Sequence, residues 1–217
     1  MPRPGEISLA HSGILFLDEV PEFPRTVLES LRQPLESGKV FISRAARQAE
    51  FPACFQLVVA LNPSPSGHHK DGRSSPEQIR RYLSRLSGPF LDRIELQVEV
   101  PLLAKGSLSQ PKNEESSAQV KQRVHSARAI QWQRQGKANA RLNLTELEQH
   151  CYLTPSDADY FESCLTQLKL SARSYHKLLK VARTLADLAQ RPQIERHDLL
   201  EALSYRSFDR LLNYLQS

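Results

Sequence analysis

The residues of this chain best suited to chemistry are two adjacent carboxylates, Asp18 and Glu19, which directly follow the apolar run Ile14–Leu17. Such a run is typical of a buried strand, so both acids would lie at the carboxyl edge of a sheet, where open α/β sheets bind ligands. Two acids at that edge suit phosphoryl transfer, because one can hold Mg²⁺ while the other orients and deprotonates an attacking water. The alternative is a strand that ends in two solvated acids, since short strings of this kind are common.

A second polar residue, Asn62, follows another apolar run, Phe55–Leu61. A neutral amide beside a phosphate can position a water molecule without adding charge. An Asn that precedes a proline is also a frequent turn residue. The case for Asn62 as a catalytic residue therefore depends on its lying at the same end of a neighbouring strand as Asp18 and Glu19.

Two arginines are placed where they could contact an anion. Arg93 precedes the alternating segment Ile94–Val100, from which it could reach a neighbouring subunit's γ-phosphate as an arginine finger. The alternative for Arg93 is a surface salt bridge with Asp92. Arg173 would fall in the first turn of a helix capped by Ser171, where a cation opposes the helix dipole at a small cost and so hints at an anionic ligand. The alternative for Arg173 is an ordinary solvated side chain.

An α/β unit followed by a helical one is needed to position these residues. Short β-type runs and turns occupy the chain up to residue 103, a polar segment with Gly and Pro follows, and the rest has helical periodicity. We therefore predict an α/β domain over 1–103, a linker over 104–116 and a helical domain over 117–217. In the first domain, Gly38–Ser43 and Gln48–Ala53 are predicted to form a β-hairpin with Arg44 and Arg47 at its tip. Ile94–Val100 alternates apolar and polar residues, which predicts a strand with one solvated face.

Local signals also predict helix boundaries. Ser75 before Pro76, and Thr154 before Pro155, have the pattern of an N-cap followed by proline at the first helical position. Thr145 and Glu148 have capping-box spacing. Apolar spacing predicts a helix from Phe23 that ends at Pro34, and a helix with one face formed by Val120, Val124, Ala127 and Gln131. It also predicts a long helix with an apolar stripe over Tyr175–Ala189. Two last helices are predicted near Asp198–Ala202 and Phe208–Leu215.

The composition is that of an ordinary globular protein of 217 residues, with a net charge of +5 and a pI near 9.2. This mild positive charge permits an anionic partner such as nucleic acid without requiring one. Cys54, Cys151 and Cys164 are far apart and odd in number, which fits a reducing compartment better than a disulfide framework. We find neither a signal-peptide pattern nor an apolar run long enough for a bilayer, and so expect a cytoplasmic protein with no membrane partner.

Several strings occur in an order that closely resembles the magnesium-chelatase-like AAA+ proteins and, within them, the ComM (YifB) family. The strings are Pro4–His11, Gly13–Glu19, Leu31–Glu36, Ile42–Ala45, Ala60–Pro63, Leu86–Arg93 and Ser171–Thr184. The resemblance covers nearly the whole chain except residues 104–116. An ordered series of this length is far more specific than any one motif.

The resemblance implies a fold and a role for each candidate residue. The fold would be part of an α/β AAA+ (P-loop NTPase) core with a β-hairpin insert, followed by an all-α helical lid bundle. Asp18 and Glu19 look like a Walker B pair, with Asp18 holding Mg²⁺ through the nucleotide. Asn62 looks like sensor 1, and Arg93 like an arginine finger acting across a ring interface. Arg173 looks like sensor 2, which contacts nucleotide in its own subunit.

The resemblance also implies partners and an activity. The hairpin that carries Arg44 and Arg47 is similar to an insert that points into the ring channel of related motors, where these arginines would contact DNA. The complete protein is expected to bind ATP and Mg²⁺ and to act as a homohexameric DNA branch-migration helicase in natural transformation. Two alternatives remain open: an ATPase subunit of a magnesium chelatase, and a non-catalytic interaction fragment.

The chain departs from the family pattern in two places. It has no G-x-x-x-x-G-K-[ST] phosphate loop, so we expect it to bind nucleotide weakly or not at all when alone, and to be inactive. We therefore expect a truncated chain, monomeric or dimeric, whose missing part holds the phosphate loop and, by resemblance, a Lon-protease-like domain. Second, serines stand where many members carry a cysteine cluster, so we predict no metal there and a solvated loop around His68 and His69. These serines are Ser64, Ser66, Ser74 and Ser75.

Overall fold

The computed structural model describes residues 3–44, 47–67, 73–101, 115–168 and 170–206. The chain divides into two compact units between Ile94 and Glu95. Within the described ranges, no helix has the length and apolar character needed to cross a membrane. Most of the predicted linker, and the predicted helix over Phe208–Leu215, lie outside these ranges, so the predicted domain boundaries stay predictions.

The first unit is mixed α/β. In chain order its elements are α1 (Glu6–Leu9), β1 (Ile14–Leu17), a 3₁₀ turn (Val20–Glu22), α2 (Arg25–Ser30), α3 (Arg32–Ser37), β2 (Lys39–Arg44), β3 (Arg47–Pro52), β4 (Gln56–Val59), α4 (Pro76–Leu83) and α5 (Gly88–Leu91). The single helix predicted from Phe23 to Pro34 is instead two helices that meet at Leu31, and Pro34 lies inside the second of them. Proline is tolerated in that first helical turn because it lacks only an N–H that has no intrahelical partner there.

The two apolar runs form strands β1 and β4, which pair in parallel. Neither strand is buried as its apolar run predicted, since Ile14, Phe16 and Val58 are exposed among the described residues. Ile14 pairs with Gln56 and Leu17 with Val59, so both strands run toward the same edge. Strands β2 and β3 form a separate antiparallel pair, whose register runs from Lys39 opposite Pro52 to Arg44 opposite Arg47. The two arms of the predicted hairpin are therefore present, displaced by one residue from the predicted bounds.

The segment Ile94–Val100 is not a strand, which corrects the prediction made from its alternation. It is extended, and its only described ladder contact is an isolated bridge between Gln97 and Arg206. The Gln97 amide donates to the carbonyl oxygen of Tyr205 at 2.7 Å, and this turns Gln97 inward. The apolar set Leu96, Val98 and Val100 is consequently exposed, the reverse of the predicted facing.

The second unit is a bundle built around one long helix. Its elements are α6 (Ser117–Gln135), a 3₁₀ turn (Asn139–Arg141), α7 (Leu144–His150), α8 (Pro155–Gln167), α9 (Ala172–Leu188) and α10 (Arg196–Ser204). The predicted apolar stripe on α9 is confirmed, since Leu178, Leu179, Ala182 and Ala186 are all buried. They pack with Phe161 of α8, and with residues of α7 and α10, in one continuous core.

Most helix starts match their sequence signals, with one correction. Ser75 caps α4 with a complete capping box, and Thr154 caps α8. The cap of α7 is Asn143 rather than Thr145: the Asn143 side chain accepts from the Glu146 amide at 3.0 Å. Both pairs have the same three-residue spacing, and Asn is at least as good an N-cap as Thr. The predicted face of α6 holds only in part, because Ala127 and Gln131 are buried whereas Val120 and Val124 are exposed.

A buried polar network joins α6 to α9. Asp187 is fully buried and accepts from the Arg134 guanidinium at 2.6 and 2.9 Å and from the Asn139 side-chain amide at 2.8 Å. Arg183, also buried, lies 3.0 Å from the same carboxylate. Asp187 is thus a buried charge compensated by two arginines, the arrangement that such a charge requires.

Candidate functional site

The paired acids and the amide occupy one edge of the β1–β4 sheet. Asp18 and Glu19 directly follow β1, and Asn62 lies three residues beyond β4. Backbone hydrogen bonds extend the pairing past the strands: the Ala60 amide donates to Leu17 at 2.8 Å, and the Val20 amide donates to Ala60 at 3.2 Å. The predicted placement of the three side chains at one edge is therefore found, and all three residues are exposed.

Glu19 has an unusual backbone. Its φ of 50° and ψ of 44° place it in the left-handed region, which residues other than Gly, Asn and Asp seldom adopt. Its amide donates to Oδ1 of Asp18 at 2.9 Å, so the two acids form one local turn. Strained backbone of this kind is concentrated at functional sites, and here it falls on the residue predicted to activate water.

The turn that carries the acids is anchored from behind. Val20 and Pro21 are buried, and Arg85 donates to the Pro21 carbonyl oxygen at 3.0 Å and to Glu22 Oε2 at 3.1 Å. The pKa of the Tyr82 hydroxyl is raised by burial and by the nearby charges of Glu22 and Glu19. Sequence reasoning missed Arg85 and Tyr82, because a contact across more than sixty residues leaves no local signal.

The donor set at this edge suits Mg²⁺ only in part. Magnesium favours octahedral oxygen coordination and is usually held by one or two carboxylates together with water and substrate phosphates. Asp18 and Glu19 supply such carboxylates, whereas no described group of three or more His, Cys, Asp or Glu could hold a metal ion. The edge therefore fits a cation that arrives with phosphate oxygens better than a cation bound by protein alone.

Arg93 is engaged within its own unit. Nη2 lies 2.7 Å from Glu36 Oε1, Nε donates to the Arg32 carbonyl oxygen at 3.2 Å, and Nη1 donates to the carbonyl oxygen of Pro89. The Arg93 side chain is only 9% exposed as a result. A role across a subunit interface would require it to leave at least one of these partners.

The backbone positions of Arg173 and of the hairpin arginines Arg44 and Arg47 agree with the predicted secondary structure. Arg173 lies in the first turn of α9, where Ser171 accepts from the Ser174 amide at 3.3 Å, and it is exposed. It belongs to the second unit, whereas Asp18 belongs to the first. Arg44 and Arg47 face each other across the end of the hairpin ladder. Their side chains lie outside the described part of the structure, as do His68 and His69.

The serines at the position of the family's cysteine cluster contact one another. The Oγ atoms of Ser64 and Ser66 are 3.2 Å apart, and those of Ser66 and Ser74 are 2.8 Å apart. Ser75 is instead the cap of α4. Hydroxyls are weak zinc ligands beside thiolates, and the absence of a metal at these serines stays a prediction.

Comparison with known proteins gives two family matches. Residues 1–108 match the model described as magnesium chelatase, subunit ChlI, and residues 114–206 match the model of the C-terminal region of the same subunit. Together the two models account for most of the chain.

Curated relatives match along the whole chain. It is 56% identical over 220 residues to the competence protein ComM of Haemophilus influenzae, and 54% identical over 219 residues to the uncharacterized protein YifB of Escherichia coli. A protein of Mycobacterium tuberculosis is 40% identical over 214 residues, or 95% of this chain. The chain spans 43% of the length of ComM and of YifB.

Proposed function

Because the chain belongs to the magnesium-chelatase ChlI family, whose members have an AAA+ fold, we propose that it forms the water-activating and sensing part of an ATP-hydrolysing motor that acts on DNA. The observation that carries the proposal is the parallel register of β1 and β4. That register brings two acids and an amide, which are far apart in the sequence, to a single exposed edge.

Each residue at the edge has a distinct part in the proposed reaction. Asp18 binds the magnesium that accompanies ATP, directly or through water. Glu19 orients the attacking water and takes its proton, and Asn62 fixes the position of that water by hydrogen bonding. When bound, the ion supplies positive charge that neutralises the phosphate oxygens. The phosphate loop is not in this chain, so the hydrolytic site is complete only in a longer protein.

The two arginines extend the proposed site beyond one edge. Arg93 stabilises the charge that develops on the γ-phosphate bound by the next subunit of a homohexameric ring. Its present partner Glu36 lies at the end of α3, one turn before the hairpin. Arg173 contacts the nucleotide of its own subunit from the start of α9, where the backbone N–H groups also favour an anion.

The proposed partner is DNA held in the ring channel by the hairpin. Arg44 and Arg47, which are paired across the end of the hairpin ladder, can neutralise phosphates without reading sequence. One relative is a competence protein, and the family resemblance implies branch migration of DNA during natural transformation. The positive net charge of the chain agrees with an anionic partner.

A hybrid protein tests the proposal. The matching region of Haemophilus ComM is replaced by this chain, and phosphate release from ATP is measured with Mg²⁺, with and without DNA. We expect DNA to stimulate hydrolysis, and Glu19→Gln to lower kcat by about 10²–10⁴-fold while ATP still binds, because only the base is lost. Glu77→Gln, an equally conservative change at an exposed position of α4, should leave the rate unchanged. A hybrid that hydrolyses ATP without any response to DNA contradicts the DNA-motor proposal.

Mixing two inactive variants tests the proposed finger. Arg93→Ala should lower kcat by about 10³–10⁵-fold. In rings assembled from Arg93→Ala and Glu19→Gln subunits, some interfaces pair an intact base with an intact finger, so part of the activity should return. An arginine that acts only within its own subunit would give no recovery.

The family description itself supports a second candidate, the ATPase subunit of a magnesium chelatase. The same edge would then drive insertion of Mg²⁺ into a porphyrin rather than movement along DNA. Adding DNA, or else the large porphyrin-binding subunit of a chelatase, to the hybrid separates the two. Stimulation by the chelatase subunit alone would favour this second function.

A further inference from the structure

One face of α6 is lined by basic and apolar side chains that the described part of the chain leaves uncovered. Lys121, Val124, His125, Arg128, Ala129 and Trp132 line a single open groove along the helix. They recur at intervals of three and four residues, which puts them on one side of an α-helix. We refer to these six residues as the α6 stripe. The buried residues of α6, Ala127 and Gln131, lie on another side of the helix.

The charge of this helix is one-sided. Over its 19 residues α6 has Lys121, Arg123, Arg128 and Arg134 but no Asp or Glu. Arg123 is paired with Glu115 at 2.5 Å and Arg134 with Asp187 at 2.6 Å. Lys121 and Arg128, the two cations of the stripe, form no ion pair with any described residue. Their charge is thus available to an anionic partner.

Trp132 adds a flat aromatic surface beside those cations. It is the single tryptophan of the chain and is 52% exposed. The Arg128 guanidinium carbon lies 5.6 Å from the centre of its ring, a cation–π distance. Exposed Val124 continues the apolar surface along the helix. Large exposed apolar groups among uncompensated cations are typical of a binding surface rather than of a merely solvated one.

We infer that the α6 stripe binds single-stranded nucleic acid, with phosphates on Lys121 and Arg128 and a base stacked on Trp132. The two cations are seven positions apart, about 10 Å along the helix, so they can contact different phosphates of one strand. Stacking on an aromatic ring between basic groups is the general way in which single strands are bound without sequence preference. An acidic peptide would use the cations but leave the ring unmatched. The inference deepens the proposed DNA function, which supplies its biological setting.

Tryptophan fluorescence, excited selectively over that of the six tyrosines, reports on this surface directly, because Trp132 is the single tryptophan of the chain. Titrating the chain with the oligonucleotide dT12 should quench the emission to saturation as a base stacks on the indole. With two phosphate contacts, the logarithm of the binding constant should fall with the logarithm of salt concentration with a slope of about −1.4. An unchanged emission while a labelled dT12 still binds, as measured by anisotropy, would place the nucleic acid elsewhere and overturn the inference.

Matched variants on the same helix sharpen the test. Lys121→Ala combined with Arg128→Ala should weaken dT12 binding by about tenfold at low salt and flatten the salt slope. Arg123→Ala removes one charge from the same helix outside the stripe and should have little effect. In the anisotropy assay Trp132→Ala should weaken binding by about tenfold, and Trp132→Phe much less, because phenylalanine retains a stacking face. Equal losses for the Arg123 and Arg128 single variants would contradict a specific stripe.

The outcomes separate this inference from the motor proposal. If dT12 quenches Trp132 but the ComM hybrid shows no DNA-stimulated hydrolysis, nucleic-acid binding by the α6 stripe is supported and the motor proposal is contradicted. The converse result is that DNA stimulates hydrolysis in the hybrid while dT12 causes no quenching, and that Trp132→Ala and the Lys121–Arg128 double variant leave that hydrolysis unchanged. That result supports the motor proposal and contradicts binding by the α6 stripe. Binding of polyglutamate as tight as that of dT12 would identify an acidic protein segment as the partner instead.

Discussion

The core of the second unit and the sheet that carries the candidate acids bury their apolar residues to very different degrees. In the second unit, Phe161 is fully buried within a core that all of its longer helices except α6 supply. In the first unit, the two-stranded sheet that carries the candidate acids leaves Ile14 63% and Phe16 58% exposed. Parallel strands are normally covered on both faces, and two strands make a marginal sheet.

This difference separates stability from chemistry. The core around α9 and the buried charges of Asp187 and its partners stabilise the helical unit, whereas the candidate acids lie at the end of a sheet whose strands are partly exposed. Apolar side chains of that sheet are exposed among the described residues. The curated relatives are more than twice as long as the region that this chain matches. We expect the contrast between the units to appear in unfolding and in pH dependence.

The largest effect is expected when the same substitution is made in both units. Phe161→Ala should lower the free energy of unfolding by about 3–5 kcal/mol, because a fully buried ring leaves a cavity. Phe16→Ala should change it by less than about 0.5 kcal/mol, because much of that ring is already in water. Urea unfolding followed by circular dichroism measures both. If the two variants lost similar amounts of unfolding free energy, the proposed contrast between the helical core and the sheet would be contradicted.

Disruption of the buried charge cluster of Asp187, Arg183 and Arg134 should lower the free energy of unfolding by nearly as much. Asp187→Ala leaves Arg183 and Arg134 without their carboxylate, and loss of one partner of a buried pair destabilises by about 3–5 kcal/mol. Asp159→Ala, on an exposed position of α8, is the control and should be close to neutral. Trp132 fluorescence during urea unfolding follows this unit specifically. A small loss for Asp187→Ala would show that water enters the cluster.

Acid should weaken the second unit through the same carboxyl group. Burial alone would raise the pKa of Asp187, but hydrogen bonds from Arg134 and Asn139 and the charges of Arg183 and Arg134 outweigh it and lower the pKa. A depressed pKa in the folded state stabilises the fold at a pH above the unfolded value, about 3.9, and this contribution is lost as the pH falls through the folded value. The stability gap between the unsubstituted chain and Asp187→Asn should therefore narrow from pH 7 to pH 3. If the difference in urea midpoint between the unsubstituted chain and Asp187→Asn did not change with pH, a lowered pKa of Asp187 would be contradicted.

The smallest expected effect concerns one helix cap. Asn143→Ala should cost about 1 kcal/mol because it removes the acceptor for the Glu146 amide at the start of α7. Thr145→Ala, two residues further and exposed, should cost much less. The pair is compared by thermal unfolding. If Thr145→Ala lowered the stability more than Asn143→Ala, Thr145 would be the N-cap of α7, as capping-box spacing alone suggested.

The sequence was most informative where one strong local pattern was sufficient. The apolar runs before Asp18 and Asn62 end in polar residues, and that pattern predicted two parallel strands with a shared edge. Ser75, Thr154 and Ser171 were likewise recognised as caps, because a hydroxyl before a helical run has few other uses.

The rest depended on partners that a sequence pattern does not reveal. Ile94–Val100 has the alternation of a strand, yet which side faces inward is set by the contact of Gln97 with the distant residue Tyr205. Likewise, two of the three partners of Arg93, Arg32 and Glu36, come from α3, which is more than fifty residues away along the chain. Arg85, which anchors the turn that carries Asp18 and Glu19, was missed because an arginine in the turn after α4 has many possible partners.

At Glu19 the residue that would best fit the left-handed backbone differs from the residue that the proposed chemistry requires. Glycine is the residue that accepts such a conformation without steric penalty, so the least strained sequence for this turn would lack a carboxylate. A screen that selects only for heat resistance should therefore tend to enrich Gly at position 19. If Glu19 activates water as proposed, such a screen would remove the activity while it raised the stability.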